Sequence, residues 1–352
     1  MTTDSIRGKV QTVLGPIEPG DLGITLTHEH LLIDMECYFT VPDEASERAW
    51  IHAPVTMDRL GGLDRRVVYN LDNMKLLDVQ TAIEEVNHYT YGGGNALVDA
   101  TSIGIARDPL ALTRISRATG LHVIMGASHY VPLSYPPDMD TRTEQAIADE
   151  IIRDVTVGVG DTGVRAGIIG EIGNFWPTTE NERKVLRASV HAQQETGAPI
   201  LVHVGFHLDS PPAIMQTFLE AGADPQRIIM GHLDMFGDND WLKSLAETGC
   251  YIEYDGFGGE DTSLSSLAGQ ELELRNDVQR MQSLELLIEQ GFGDKIVIAH
   301  DVCTKHQYVR YGGKSFGHIL DNIVPRMRKR GWSDAEINAI LVENPRNVLT
   351  FK

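Results

Sequence analysis

Eight short apolar runs alternate with longer amphipathic segments along the whole chain, and this alternation constrains the fold more than any other feature. Several runs are dense in valine, isoleucine and leucine, which is typical of parallel strands covered on both faces. The intervening segments have a helical pattern and often end at glycine or proline. The runs comprise residues 24–30, 96–101, 121–130, 165–172, 199–204, 227–233, 250–255 and 295–301.

This order predicts an α/β fold of the (β/α)8 type, a TIM barrel that occupies residues 1–352 as a single domain. An open doubly wound sheet is the alternative, but no GxGxxG turn follows the first run. Two long segments, 35–72 and 256–275, are expected at the catalytic face, as substrate lids or as surface insertions. Helices are predicted over 78–91, 108–119, 143–158, 179–196 and 283–290.

Charge and cysteine content exclude several classes of protein. Lys and Arg number 30 against 50 Asp and Glu, a net charge of −20, which disfavours nucleic acid and anionic membranes as partners. The three cysteines are widely separated and form no CxxC motif, which suits a reducing compartment. Neither a secretory signal nor a membrane-spanning stretch is evident, so we expect a cytoplasmic protein with a small-molecule substrate.

Polar side chains follow several of the predicted strands. In a strand ending Thr-His-Glu-His, His28 and His30 face one side and Glu29 the other. Two imidazoles at the mouth of a barrel can chelate a metal, although two structural histidines would give the same pattern. His203, His232 and Asp301 stand at or near the ends of three further runs, where barrel active sites lie.

Glu171 stands at the end of another buried run, where an unpaired carboxylate would be costly. It could form a salt bridge with Arg165 or Arg153, or it could bridge two cations. In the second interpretation one cation is held by His28, His30 and Asp301, and the other by His203 and His232. Glu171 and a water-derived hydroxide would then span the pair.

The full pattern resembles the phosphotriesterase family of binuclear metal hydrolases within the amidohydrolase superfamily, and most closely its phosphotriesterase-related branch. The resemblance runs from Gly8 to Lys352, through GKVQTVLGPIEPGDLGITLTHEH, AGIIGEIG, ERKVLRA, YIEYDGFG, AHDVCTKHQYVRYGG and ENPRNVLTFK. It implies a (β/α)8 barrel, a homodimer and two divalent cations, most often zinc, although such ligands also accept Mn²⁺ or Co²⁺. The metal ligands it implies are His28, His30, Glu171, His203, His232 and Asp301.

The family's founding members carry a carboxylated lysine where Glu171 stands here, which weakens any transfer of organophosphate specificity. We expect a metal-bridging hydroxide to attack a small lactone, ester or N-acyl amide, with Asp301 as the catalytic proton shuttle. The alternatives are a phosphotriester hydrolase, a metal-containing barrel that binds ligand without turnover, and a mononuclear deaminase-like enzyme.

Other side chains are candidates for contact with substrate. Tyr130 could donate a hydrogen bond to a substrate oxygen, or it could pack at the rim. Lys305 could bind an anionic group, or it could be a solvated loop charge. Asp234 could orient a ligand imidazole, and Asp255 could hydrogen-bond at the same place. Cys303 would need an activating base to serve as a nucleophile, so this role is disfavoured.

Overall fold

The computed structural model describes residues 6–63, 66–236, 239–259 and 274–352. Eight parallel strands are paired in chain order, and the backbone N–H of Asp301 donates to the carbonyl of His28 at 3.2 Å, between the last strand and the first. The (β/α)8 prediction is therefore confirmed, and the open doubly wound sheet is wrong. The barrel strands are β3 (Thr25–Glu29), β6 (Ala96–Asp99), β7 (His122–Ala127), β8 (Ile168–Gly173), β9 (Ile200–His203), β10 (Ile228–Met230), β11 (Tyr251–Tyr254) and β12 (Ile296–Ile298).

Four short strands lie outside the barrel and form two antiparallel pairs. They are β1 (Val10–Thr12) with β2 (Gly15–Ile17), and β4 (Ile33–Asp34) with β5 (Lys75–Leu76). The described helices are α1 (Ala45–Arg48), α2 (Leu60–Leu63), α3 (Val79–Tyr91), α4 (Pro109–Thr119), α5 (Glu144–Thr156), α6 (Glu180–Thr196), α7 (Ser210–Glu220), α8 (Asn239–Glu247), α9 (Asp277–Glu289), α10 (Val324–Lys329), α11 (Asp334–Asn338) and α12 (Asn344–Leu349). None of these helices is both long and apolar enough to cross a bilayer.

Local capping determines where the helices begin and end. Asp108 accepts a hydrogen bond from the N–H of Ala111 at 2.9 Å, and Gly120 ends α4 in the left-handed conformation. The first four predicted helices match α3 to α6 closely. The fifth, predicted over 283–290, begins earlier, at the residue after Asn276, because Asn276 and Gln279 form a capping box.

The apolar side chains form two packed layers, as expected of strands that are covered on both faces. One layer fills the barrel and includes Ile124, Ile168 and Leu201. Val10 near the N-terminus and Leu349 near the C-terminus join this inner layer. The other layer lies between the strands and the surrounding helices. The inner face of the barrel is therefore apolar except where the site residues interrupt it.

The two long segments contribute to the same end of the barrel. In the first, the Tyr38 hydroxyl lies 3.3 Å from that of Tyr130, and Leu60 and Val67 line the cavity beside the site. In the second, residues 256–259 line this cavity, while 260–273 lie outside the described residues. The placement of the first segment at the catalytic face is confirmed.

Gly170, which precedes Glu171 in β8, occupies a position that excludes a side chain. Its φ is +131°, and a Cβ there would stand 2.1 Å from the carbonyl oxygen of Leu201. We expect Gly170→Ala to lower the free energy of unfolding by about 2–5 kcal/mol, since backbone strain and overpacking add. Urea denaturation measures this loss. Gly120 has a φ of +78° and open space around it, so Gly120→Ala should cost only about 1–2 kcal/mol. Equal losses in the two variants would contradict the steric argument.

Candidate metal centre

His28 lies in β3 and His30 directly follows it. Both side chains point into the mouth of the barrel, as the alternation of side chains along a strand predicts. His28 and His30 both direct Nε2 toward the carboxylate of Glu171, at 3.3 and 3.2 Å respectively. Glu29 points the other way. Its carboxylate accepts from the backbone N–H groups of His300 and Val302, at 2.9 and 3.1 Å. Glu29 therefore holds the loop after β12, which carries Asp301.

Glu171 lies at the centre of the cluster. Its Oε1 approaches His30, while its Oε2 lies 3.2 Å from His203 Nδ1 and 3.7 Å from His232 Nε2. Its charged neighbours are imidazoles, so the alternative of a salt bridge to an arginine is wrong. Asp301 completes the group, with Oδ1 3.3 Å from His30 Nε2. All six predicted ligands are thus brought together.

Three triplets of potential ligands occur among the described residues. The first contains His28, His30 and Asp301, and the second contains Glu171, His203 and His232. These match the two half-sites predicted from the sequence. In the third triplet, which joins His28 and His232 to Asp255, the separations are hydrogen-bonding distances on the outer side of the rings.

The chemistry of this cluster fits divalent cations. His28 Nε2 and Glu171 Oε2 are buried and have no hydrogen-bond partner within the part of the chain that the structure describes. Ligand atoms about 2.0–2.2 Å from a tetrahedral cation lie about 3.3–3.6 Å apart. The imidazole nitrogens lie 3.2–3.7 Å from Glu171 and 3.3–4.0 Å from Asp301. A set of imidazoles and carboxylates is also the ligand type that zinc prefers.

The pKa shifts show how strongly the cluster attracts positive charge. Burial by itself lowers the pKa of His30, but hydrogen bonds with Asp301 and Glu171 raise it to about 9. Burial raises the pKa of Glu171, but the positive charge of His28 and the close approach of His203 bring it well below its ordinary value. The carboxylates therefore hold a proton on His30, which bound cations would displace. At His203, by contrast, burial and the charge of His232 lower the pKa.

Outer hydrogen bonds fix the orientation of the rings. Asp255 Oδ1 lies 2.9 Å from His232 Nδ1, and Glu253 Oε2 lies 3.1 Å from His28 Nδ1. Thr101 Oγ1 lies 2.9 Å from His30 Nδ1. Each contact is made by Nδ1, so Nε2 of each ring faces the centre of the cluster, as is usual for histidine ligands. The hydrogen bond expected of Asp255 is thus observed, while the roles of Glu253 and Thr101 were missed.

The remaining predicted residues lie in different places. The Tyr130 hydroxyl stands 3.3 Å from His203 Nδ1, at the edge of the cluster. Asp234 lines the adjoining cavity but pairs with Arg280 at 2.6 Å, so it does not orient a ligand imidazole. Lys305 forms an ion pair with Asp72 and is not among the described residues that line the cavity. In the structure, Lys305 therefore contacts another loop residue and not the cavity.

Arg280 is a buried cation whose partners are two buried carboxylates. Its Nε donates to Asp234 at 2.6 Å and its Nη1 donates to Asp277 at 3.2 Å. We expect Arg280→Met to lower the free energy of unfolding by about 3–5 kcal/mol, because Asp234 and Asp277 both lose their contact with the buried guanidinium. Arg330→Met, which breaks a partly exposed pair with Glu285, should cost only about 0–1 kcal/mol. Comparable losses in urea denaturation would contradict this prediction.

The loss from Arg280→Met should also depend on pH. Burial raises the pKa of Asp277, but the hydrogen bond from His318 and the charge of Arg280 bring it well below its ordinary value. Its ionised form therefore stabilises the fold above about pH 4, and this contribution is lost as the pH falls further. The stability difference between wild type and Arg280→Met should therefore shrink as the pH falls below about 4, and it should stay nearly constant from about pH 5 to neutrality.

The fold and the cluster together define a barrel hydrolase with a histidine and carboxylate centre. A sequence model of the Phosphotriesterase family matches residues 8–349. The chain belongs to this family, as the sequence resemblance predicts, and it is a hydrolase.

Relatives in two vertebrates match over nearly their whole length. An N-acetyltaurine hydrolase of Salmo salar is 41% identical over 99% of both chains. An N-acetyltaurine hydrolase of Homo sapiens is 40% identical over 99% of both chains. Among solved structures, a resiniferatoxin-binding protein from Rhodobacter sphaeroides superimposes with a TM-score of 0.94 and 34% identity, covering 98% of this chain and 96% of that one.

Proposed function

We propose that the chain hydrolyses a small N-acyl amide, and that N-acetyltaurine is the first substrate to test. The observation that carries this proposal is the 41% identity to an N-acetyltaurine hydrolase over 99% of both chains. A likeness over the whole chain includes the loops after the strands, which select the substrate in a barrel enzyme. Of the lactone, ester and amide predicted from the sequence, this favours the amide.

The proposal includes two divalent cations. His28, His30 and Asp301 would hold one, and His203 and His232 the other, with Glu171 shared between them. Zinc is the first choice for this ligand set, and Mn²⁺ and Co²⁺ are the alternatives. Bound cations would supply a water of lowered pKa and an electrophile for the carbonyl oxygen.

Asp301 is the site residue best placed to move a proton. Its side chain is 27% exposed, whereas that of Glu171 is 1% exposed. Amide hydrolysis removes a proton from water and adds one to the departing nitrogen, and the Asp301 carboxylate can do both. Tyr130, whose hydroxyl accepts from Tyr38 at 3.3 Å, would orient the substrate oxygen.

A substrate panel on metal-reconstituted protein tests this function. The metal content is measured for Zn²⁺, Mn²⁺ and Co²⁺, and the release of taurine and acetate from N-acetyltaurine is followed. A lactone, an aryl ester and a phosphotriester are assayed in parallel. We expect the amide to be the preferred substrate. Cations bound without turnover of any compound would instead indicate a ligand-binding barrel. A preference for the phosphotriester would favour the alternative of a phosphotriester hydrolase.

Cys303 lines the cavity but lacks the properties of a nucleophile. Burial and the neighbouring Asp301 carboxylate raise the pKa of the Cys303 thiol well above its ordinary value, so the thiolate is scarce. We expect Cys303→Ala to keep most of the wild-type kcat on N-acetyltaurine. Loss of turnover with an unchanged metal content would give the thiol a catalytic role.

The proposed location is the cytoplasm. Cys37, Cys250 and Cys303 are all free, as suits a reducing compartment. Cell fractionation with a tagged chain would test this location.

A further inference from the structure

A strained backbone conformation places Asp301 in the cluster. Its φ is +52°, in the left-handed region, which is costly for a residue with a side chain. Such a conformation persists only where neighbouring groups hold the chain in place. The N–H of Asp301 donates to the carbonyl of His28 at 3.2 Å, and the N–H of Val302 donates to Glu29 at 3.1 Å. The carbonyl of Asp301 needs a further partner.

The side chain of Gln307 binds this carbonyl. Its Nε2 donates to the carbonyl oxygen of Asp301 at 3.0 Å. The peptide group between Asp301 and Val302 is thus held at both ends, at its N–H by Glu29 and at its carbonyl by Gln307. Because the chain is fixed before and after Asp301, the direction in which its carboxylate points is fixed as well.

The other partners of Gln307 determine how its amide is oriented. Its Oε1 accepts from the backbone N–H groups of Cys303 and Thr304, at 2.8 and 2.9 Å, and from the Thr304 hydroxyl at 2.8 Å. Backbone N–H groups only donate, so the amide oxygen must face them. The amide nitrogen, which also only donates, must then face the carbonyl of Asp301. The two ends of one side chain therefore hold successive parts of the same loop.

The main chain at Gln307 is anchored in its turn. Gln307 ends a single helical turn, Lys305–Gln307, after the barrel's last strand. The N–H groups of Lys305 and His306 donate to the backbone carbonyl and the side-chain oxygen of Asn73, each at 2.9 Å. Asn73 is fully buried. Gln307 is therefore a rigid support for the loop that carries Asp301.

We propose that Gln307 is a positioning residue for Asp301 and acts on catalysis through that carboxylate. The proposal rests on the proposed hydrolase function, in which Asp301 moves the proton. Both residues line the cavity of about 310 Å³ beside the cluster, where the substrate would lie. Proton transfer requires hydrogen-bonding distances, so a small displacement of the carboxylate slows turnover even when the substrate still binds.

A double-mutant cycle between positions 307 and 301 tests this role. We expect Gln307→Met to lower kcat on N-acetyltaurine about 10–100-fold, the usual cost of losing an outer partner, and to raise KM much less. In an Asp301→Ala background the same substitution should change kcat less than about 2-fold, because no carboxylate remains to be positioned. Equal losses of kcat in the two backgrounds would show a general structural role and overturn the proposal.

Gln279→Met is the matched control. Gln279 is exposed, and its Oε1 accepts from the N–H of Asn276 at 2.9 Å in a capping box. Gln307 forms the same kind of capping box with Thr304, but Gln307 alone of the two donates to Asp301. Gln279→Met should therefore keep the wild-type kcat and KM. A loss of kcat in Gln279→Met as large as that in Gln307→Met would contradict the positioning role.

The same cycle in Zn²⁺ affinity separates this role from the proposed function, because it needs no turnover. Competition with a chelator measures Kd for Zn²⁺. Gln307→Met should weaken Zn²⁺ binding about 10–100-fold where Asp301 is present, and should have almost no effect in Asp301→Ala. Such coupling without turnover of any amide would support the positioning role and overturn the amidase function. Equal effects in both backgrounds, or none, would overturn the positioning role even if the amide is hydrolysed.

A second substitution keeps the test decisive if Gln307→Met does not fold by circular dichroism. Gln307→Glu keeps an oxygen toward Cys303 and Thr304 and loses the donor to Asp301. It should show the same coupling to Asp301→Ala in Zn²⁺ affinity. Absence of that coupling in a folded Gln307→Glu variant would overturn the proposal.

Discussion

Replacing Glu171 with glutamine is expected to remove both metal binding and hydrolysis. The carboxylate approaches His28, His30 and His203 within 3.3 Å, so it contacts ligands of both half-sites. An uncharged amide offers only one good ligand atom and no charge to offset two cations. We expect the loss of metal affinity to exceed the roughly 10–100-fold that removal of an outer partner causes. Metal analysis after dialysis, together with turnover of N-acetyltaurine, measures both effects.

Glu253→Gln is the matched control for this prediction. Glu253 is also fully buried and lies 3.1 Å from His28, but it contacts Nδ1 on the outer side of the ring. Its replacement should lower metal affinity about 10–100-fold and leave activity at saturating metal. Circular dichroism shows whether both variants fold. A Glu171→Gln variant with the wild-type metal content and turnover would refute the bridging role.

The barrel could be predicted because each strand has a recognisable pattern in its own short stretch of sequence. The apolar runs are covered on both faces, and this burial leaves a pattern in the sequence whatever the neighbouring strands are. The residues at which the strands end are harder to predict from the sequence. β12 stops at Ile298, and Asp301 follows in a left-handed conformation with a φ of +52°. Hydrogen bonding between Glu29 and the loop determines this end, and such distant partners leave no local pattern.

The cluster was predictable because barrel topology brings the carboxyl ends of all strands to one rim. His28, Glu171 and His203 therefore meet although they are far apart in the sequence. The outer partners were less predictable, since Asp234 and Asp255 both follow barrel strands and only packing separates them. Asp255 contacts His232, while Asp234 turns to Arg280. The cavity wall is the hardest part to predict, because it is built by loops without periodicity. The sequence pattern favours Lys305 as a lining residue, whereas Lys314 lines the cavity.

Asp301→Asn should lower kcat on N-acetyltaurine about 10²–10⁴-fold, the usual contribution of a positioned acid or base. The asparagine keeps an oxygen toward His30 but cannot accept a proton from water. The loop should stay in place, because Glu29 holds the backbone on both sides of position 301 and Gln307 donates to the carbonyl of Asp301 at 3.0 Å. The loss should thus appear in turnover while most bound metal remains.

The measurement must separate lost proton transfer from lost metal. Turnover is therefore divided by the metal content of each preparation. On the same samples, calorimetry measures Kd for an unreactive analogue, the ketone in which a methylene replaces the amide N–H of N-acetyltaurine. Asp294→Asn makes the same change at a side chain that is 72% exposed, and it should match wild type in all three quantities. If Asp301→Asn binds the analogue and the cations normally but has lost turnover, Asp301 moves the proton. If turnover falls only as much as the metal content does, Asp301 acts as a ligand and some other group carries the proton.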